Sequence, residues 1–587
     1  NSFCTLLQPM VGKGTIHSAL ANILGGLLVG YAIGYVPVAM QYEVYVSNCT
    51  RYTGQPACDA LSEHSGCVWG PAAVTIPRDG APTPATVDAC AFKQRTNLAV
   101  AVKAGLPNGT AIPCTLFNGD EDACGANDGC YYDNKAGTCE HNAGWTAVQD
   151  GLFAAMLVMG SVVGAGAASV PLKFLGRRGT LVLIGAVTIA AVIMEAAGWA
   201  INSYALYVIG RFISGAAMGA VCVASPMYCG EACEEHTKGV VGVLFQLFVT
   251  FGIVVAGVVG VIISPQYDTE KDGNLRLRLQ VINVVNIIIG LAVIVVGCVI
   301  RETATGGMLC DDAVAVELYD VGGLNSSASR DTNTRGPSDN NSVRYELYSG
   351  AADGVDTVVD EASAKQRVWT DEGTGAVGNT ALSFPAALFV AVLLAAALQL
   401  TGINAVMNYA PRLTESAGLA PLTGNCIVGV WNFISTIIAV PIARKAGTRS
   451  MFLVSALVSS IACLLTAIPM YPGLTGDLSD STRHPLILTG ILLFVLAFEC
   501  GTGPGFYVLA QAIFSDDKRD FGCSFANVWQ YIFNVMVVFC YPIAVQGLSG
   551  GKSGNQEKGQ GIALFFFGGL GLFVTALLFK LLPDPRK

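Results

Sequence analysis

Charge is what this sequence has least of. Asp, Glu, Lys and Arg make up 13% of its 587 residues, against roughly 25% in an ordinary soluble domain. A chain so poor in charge cannot cover its surface for water. With 52% hydrophobic residues and a mean hydropathy of +0.54, it reads as a polytopic membrane protein. Histidine is scarce as well: His17, His64, His141, His236 and His484 are scattered over loops and segment ends. That scatter offers no metal cluster and no nucleophile–base set at membrane depth, so neither an enzyme, a metal site nor a cofactor is expected. A basic excess is also missing. The formal net charge is −9 and the acids gather in two polar insertions, so no nucleic-acid partner is read. There is no recognisable signal peptide. The chain opens on Asn-Ser-Phe instead of Met, so the native N-terminus and any targeting signal on it are expected to be missing.

What is present is long apolar runs. Crossing a bilayer takes roughly 20 mostly apolar residues. Such segments lie near 16–40, 146–172, 179–200, 204–227, 239–263 and 280–300, then near 381–409, 425–443, 451–472, 487–514, 525–548 and 560–582. Twelve spans divided six and six by a polar insertion suggest duplicated halves around a midplane cavity. Basic residues in short loops mark the cytoplasmic side. Lys173, Arg177 and Arg178 follow the second span, Arg444, Lys445 and Arg449 the eighth, and Lys518 and Arg519 the tenth, which puts both termini inside. Lys271, Arg276 and Arg278 count against that bias.

The loop after the first span breaks the tie. It holds Cys49, Cys58, Cys67, Cys90, Cys114, Cys124, Cys130 and Cys139, eight of the chain's 19 cysteines. An even, clustered set without paired C-x-x-C spacing reads as a disulfide framework in an oxidising compartment, its connectivity undetermined. Sequons at Asn48 and Asn108 agree with an extracellular location, while those at Asn325 and Asn340 fall on the cytoplasmic side and are idle. The expected fold is therefore all-α, a multi-pass plasma-membrane protein. It comprises a cytoplasmic segment 1–15, a six-helix half 16–300 carrying an extracellular Cys-rich loop 45–145, and a cytoplasmic, largely disordered loop 301–376. A second six-helix half 377–582 and a cytoplasmic tail 583–587 complete it.

Polar side chains inside spans are costly and mark an interior cavity. Gln246 lies in the fifth span, Gln399, Asn404 and Asn408 in the seventh, Asn432 in the eighth, and Gln530 and Asn534 in the eleventh, with Glu499 and Tyr507 in the tenth. Amides both donate and accept, which suits a neutral ligand covered in hydroxyls. Any one of them serves equally well as interhelical glue worth about 0.6 kcal/mol, but seven concentrated in four spans point to a shared site. The tenth span reads FECGTGPGFYVLAQAIF, with Gly501, Gly503, Pro504 and Gly505 interrupting it, and Thr401–Gly402 weakens the seventh. Interrupted backbone at membrane depth is tolerated only against protein or a cavity. Paired weak points read as a moving gate. At the cytoplasmic ends, Arg211 and Glu231 are expected to bracket the fourth span, with Lys238 opening the fifth and Arg444, Lys445 and Arg519 at matching places, so that ion pairs across the halves close an inner gate.

GRR at 176–178, GRF around Arg211, PMYCGE at 226–231, LQLTGINAV at 398–406 and FECGTGP at 498–504 together resemble the sugar porters of the major facilitator superfamily. The resemblance covers nearly the whole chain outside the two insertions. The cysteine-rich first loop, LFQLFVTFGI, LQLTGINAVMNYAP, the WNF at 431–433 and GQGIALFFF are similar to the hexose transporters of kinetoplastid parasites. That resemblance implies facilitated diffusion of glucose and fructose across the plasma membrane. It also implies sugar contacts from Gln246, Gln399, Asn404, Asn432 and Asn534, an outer-gate role for Tyr409, and an aromatic floor at Tyr507. Lipid and hexose are the expected partners. Leu398 replaces one of the family's paired glutamines, removing a hydroxyl contact, and RKAGTR and Ala512 depart from the family's inner-gate charges. Proton-coupled members carry an aspartate after the first-span Gly-Tyr pair, where this chain has Ala32, so a uniporter is expected. A proton–inositol symporter and a transporter-like glucose sensor are the competing readings.

Overall fold

The computed structural model describes residues 13–47, 67–73, 86–92, 130–133, 138–141, 144–201, 203–233, 235–264, 275–302, 382–443, 447–471, 474, 479–515, 518–551 and 555–582. Among them, 12 helical stretches are long and apolar enough to cross a membrane, the first spanning Gly14–Val46 and the last Gln556–Leu581. The spans anticipated from hydropathy all appear.

The first half consists of α1 (Lys13–Ser47), α2 (Ala147–Ala167) with the short α3 (Ser169–Phe174), α4 (Gly176–Ala200), α5 (Tyr204–Ala232), α6 (Glu235–Ile262) and α7 (Leu275–Val299). In the second half the seventh span is broken into α8 (Phe384–Gln399) and α9 (Ile403–Asn408), followed by α10 (Ala410–Glu415). Then come α11 (Pro421–Ala443), α12 (Thr448–Met470), α13 (Asp480–Ala497), a π-helical turn over Phe498–Thr502, α14 (Gly503–Ala512), α15 (Arg519–Leu548) and α16 (Gln556–Leu581). The insertion after the first span contains two antiparallel hairpins, β1 (Cys67–Ala73) with β2 (Thr86–Phe92) and β3 (Cys130–Asp133) with β4 (Thr138–His141). Their registers place Trp69 opposite Cys90 and Tyr132 opposite Cys139.

Small residues set how closely these helices pack. In the first half, Gly26 and Gly30 of α1 lie against the α6 backbone, where a Cβ would come within 2.3 Å of Phe245 O and 1.8 Å of Val249 O. Gly160 and Gly164 do the same for α2 on α5. Without a hydrophobic drive between helices in lipid, such close backbone approach is how they associate.

The halves meet along two matched seams. The second span (α2) packs on the eleventh (α15), and the fifth (α6) on the eighth (α11). Advancing each number by six exchanges the two seams, as internal duplication requires. One further detail repeats. Arg178, at the start of the third span, donates to Gly297 O and Cys298 O at the end of the sixth, at 3.2 and 2.7 Å. Arg449, at the start of the ninth, donates to Leu582 O and Phe579 O at the end of the twelfth, both at 3.1 Å. A cation on the open carbonyls of a helix C-terminus satisfies groups that lipid cannot.

Of the cysteine-rich insertion, Cys139 is buried and disulfide-bonded. The side chains of Cys49, Cys58, Cys67, Cys90, Cys114, Cys124 and Cys130 lie outside the described residues, as do Asn48, Asn108, Arg444 and the loop 303–381.

Candidate functional site

The break in the seventh span is where the amides converge. α8 ends at Gln399 and Gly402 adopts φ +93°, a left-handed conformation that only glycine enters cheaply. Its amide still closes on Gln399 O at 3.1 Å, and a Cβ there would stand 2.9 Å from the Phe567 ring of the twelfth span. The turn carries Gln399 and Asn404 together. Asn404 Nδ2 donates to Gln399 Oε1, and Gln399 Nε2 donates to Gln530 Oε1 on α15 at 2.7 Å. Gln399 and Gln530 are buried, and Asn404 is partly open. Asn408 Nδ2 donates back to Asn404 O at 2.8 Å, so Asn408 braces the turn.

Two further amides have polar atoms to spare. The Oδ1 atoms of Asn432 and Asn534 are buried and without a hydrogen-bond partner. Leaving such an acceptor bare costs roughly 1–3 kcal/mol. Gln246 is exposed, and it lies two turns before Ile253, which faces Gly429 of the eighth span; a further turn on, Gly257 faces Cys426. Asn432 sits one turn beyond Gly429 on the eighth span. Tyr507 is half-exposed at 51%, with its ring edge-on to Phe506 at 5.1 Å. Leu398 is buried in the apolar cluster of the second half.

The tenth span does not break at its glycines. It widens into one π turn over Phe498–Thr502 and resumes as α14 with Pro504 in its first turn, where a missing N–H costs nothing. Ser455 of α12 supports the wide turn, accepting from Thr502 N at 2.8 Å and donating to Ala497 O at 2.5 Å. Gly501 lets the turn lie on α12, a Cβ there coming within 2.5 Å of Met451 O. Glu499 within the turn is buried and accepts from the Thr436 hydroxyl at 3.2 Å, one turn from Asn432.

The charge assignments need correction. Arg211 and Glu231 do not form one cytoplasmic gate. They are 20 residues apart on the one helix α5, roughly 30 Å at 1.5 Å per residue, and so stand towards opposite ends. Each is paired inside its own half. Glu231 accepts from Arg177 at 2.6 Å, beside Glu302, whose carboxylate takes Arg177 N and Arg178 N at 2.8 and 3.1 Å. Arg211 is fully buried, 3.6 Å from the equally buried Glu195 of α4. It also donates to Ala32 O at 2.8 Å and lies 4.8 Å from the Tyr35 ring centroid. Lys238 and Arg519 begin or follow helices, but their side chains lie outside the described residues.

Sequence reasoning missed three charged residues. Glu195 interrupts the apolar run VIMEAAGW, a signal that was there to be read. Asp150 and Arg412 pair across the halves, Arg412 Nη2 donating to Asp150 Oδ2. Tyr409, expected at an outer gate, is buried next to them. Its hydroxyl donates to Val538 O at 3.0 Å and its ring faces Tyr541 at 5.0 Å.

Among the described residues, twelve candidate spans carry a chain of amides where the seventh meets the eleventh. The chain matches the family described as "Sugar (and other) transporter" over residues 18–305 and 349–580, and it belongs to that family. It is a transporter of sugar and not an enzyme. It is 30% identical to "Glucose transporter 2A" of Trypanosoma brucei brucei over 563 residues, 96% of this chain and 86% of that protein. It is 31% identical to "Glucose transporter HT1" of Trypanosoma vivax, over 95% of this chain and 82% of that protein. In architecture it is similar to a crystal structure of a D-xylose-proton symporter, with a TM-score of 0.59 at 16% identity, covering 97% of this chain and 98% of that one. An inward open conformation of the xylose transporter XylE from E. coli aligns with a TM-score of 0.57 at 16% identity, over 96% of each chain. These likenesses carry the fold, that of major facilitator sugar transporters.

Proposed function

We propose that the chain is a facilitative hexose carrier, moving glucose and also fructose across the plasma membrane by alternating access with both termini inside. The observation that carries this reading is the Gln399–Asn404–Gln530 chain of amides, with unpaired carbonyls on Asn534, one turn beyond Gln530, and on Asn432 of the eighth span. Such a set offers donors and acceptors and no net charge, which matches a neutral polyhydroxylated ring. The relatives named as glucose transporters support a hexose over a polyol. In this reading Gln246, Gln399, Asn404, Asn432, Asn534 and Gln530 take the sugar hydroxyls above Tyr507. Gly402 and the π turn flex to occlude it, and the two seams rock open in turn. Lys238, Arg444 and Arg519 belong to an inner gate on the opposite face from Tyr409. Ala32 in the first span supports uniport.

One observation favours a second reading. Glu195 puts a carboxylate against Arg211, whose guanidinium also reaches Ala32 O, so a titratable group does stand behind the first span. A proton-coupled carrier would use it.

Uptake of labelled glucose into proteoliposomes, with fructose and inositol as competitors, separates the readings. The carrier is expected to equilibrate glucose, to be inhibited by fructose more than by inositol, and to ignore a proton ionophore. Failure to move any hexose sinks the proposal, and sugar-driven external alkalinisation sinks uniport.

A further inference from the structure

Asp150 lies one turn into the second span, where Thr146 and Gln149 close its N-terminus as a capping box. A carboxylate there is favoured by the helix N-terminus, yet this one is only 1% exposed and faces the other half of the molecule. Its partner, Arg412, stands on α10, directly after the seventh span. The guanidinium also lies 5.9 Å from the Tyr409 ring centroid. Next to the pair, Gly151 brings the second span onto the eleventh so closely that a Cβ would come within 2.4 Å of Phe539 O. Val538, the preceding residue, receives the Tyr409 hydroxyl. The first span closes the same end by packing on α9 and α10. Burial works against the Arg412 charge, and the Asp150 carboxylate more than restores it, so the guanidinium stays charged at any physiological pH.

We propose that Asp150 and Arg412 form a latch between the halves that holds the Tyr409 end of the carrier shut, and that its strength sets the balance between the two access states. This rests on the alternating-access reading. Opening that end must part the second span from the eleventh and from α10, so the pair must break in every cycle. Asp150 is buried while Arg412 keeps 36% of its side chain exposed, so losing Arg412 strands a buried carboxylate, which is far worse than losing both. The two residues are therefore positioning residues that act on the gate without touching sugar.

The test is a double-mutant cycle in the full-length carrier with a readout that does not need transport. Spin labels on non-canonical residues introduced at Val148 and Glu415, both exposed and on opposite halves at this end, report its opening as a distance distribution. Asp150→Asn and Arg412→Gln are each expected to move the population toward the longer distance by about tenfold or more in ratio. The double variant is expected to be no more open than either single change, because the two act as one unit. In transport, each single variant is expected to lower the maximal rate severalfold and to shift half-saturation on the Tyr409 side, leaving the amount of folded carrier at the surface unchanged. A distance distribution that stays the same in both single variants, or shifts that simply add, overturns the latch. Should wild-type carrier move no hexose while the distances still respond as stated, the latch stands and the hexose reading falls.

Discussion

At the scale of single residues, the structure separates an amide committed to the backbone from amides bonded to one another. Asn408 is spent on Asn404 O, whereas Gln399 sits between Asn404 and Gln530; in the proposed reading either of those bonds is exchanged for a sugar hydroxyl. Gln399→Ala removes one such hydroxyl contact, worth about 1.4 kcal/mol or tenfold in binding. The expected outcome is a half-saturation raised about tenfold with surface expression unchanged, read by labelled uptake and surface biotinylation. An unchanged half-saturation takes the residue out of the site. The amides were legible in the sequence because seven of them gather in four apolar spans. Arg211 was grouped with the cytoplasmic charges although it lies inside the span and not in a loop. The helical rise from Arg211 to Glu231 was enough to show that one cannot share a gate with the other. Asp150 and Arg412 were invisible for another reason: each is unremarkable next to a loop, and only the folded chain brings their side chains together.

At the scale of elements, the two weak points flagged by glycine and proline turn out to be different devices. The seventh span has a real break, forced by the left-handed Gly402. Any side chain there costs about 1–3 kcal/mol of backbone strain, and its Cβ also meets Phe567. Gly402→Ala is expected to lower both melting temperature and maximal uptake rate. Gly569→Ala, whose Cβ meets nothing within 4 Å on the same twelfth span as Phe567, is the control expected to change neither. The tenth span instead keeps its ladder through a π turn, and composition alone could not tell a kink from a widening. What decides it is Ser455 on a different helix, which serves the backbone groups that the wide turn leaves over. Ser455→Ala leaves the buried Thr502 N and Ala497 O without that partner, each at a cost of roughly 1–3 kcal/mol. The expectation is a carrier with reduced thermal stability and slower turnover. Ser455→Thr, which keeps the hydroxyl, is expected to retain most of both if its methyl is accommodated.

At the scale of the whole molecule, twelve spans and their division into halves followed from hydropathy, while the seams that make the halves a machine did not. Glycines against backbone, as at Gly30 and Gly151, look in sequence like any other small residue in a membrane helix. The same scale decides how Glu195 is to be read. A group that couples protons to a rocking carrier must meet water from one side in one state and from the other side in the next. Glu195 and Arg211 both lie inside the first half, on α4 and α5, with no exposed surface and with the Tyr35 and Phe153 rings over the guanidinium. In the proposed alternating-access reading, rocking the halves about the second–eleventh and fifth–eighth seams moves this pair as a body, since Glu195, Arg211, Tyr35 and Phe153 all belong to the first half. Its physical role is then to cancel a buried charge and to tie the first span, through Ala32 O, to the fourth. Neutralising one member leaves the other bare, which typically costs 3–5 kcal/mol. Glu195→Gln is therefore expected to cut the yield of folded carrier sharply. The molecules that do fold are expected to transport glucose with the same indifference to a proton gradient as the wild type, measured in proteoliposomes at equal protein. A wild-type carrier that accumulates sugar when the pH difference is imposed, and a Glu195→Gln carrier that only equilibrates it, would instead make this pair the coupling site.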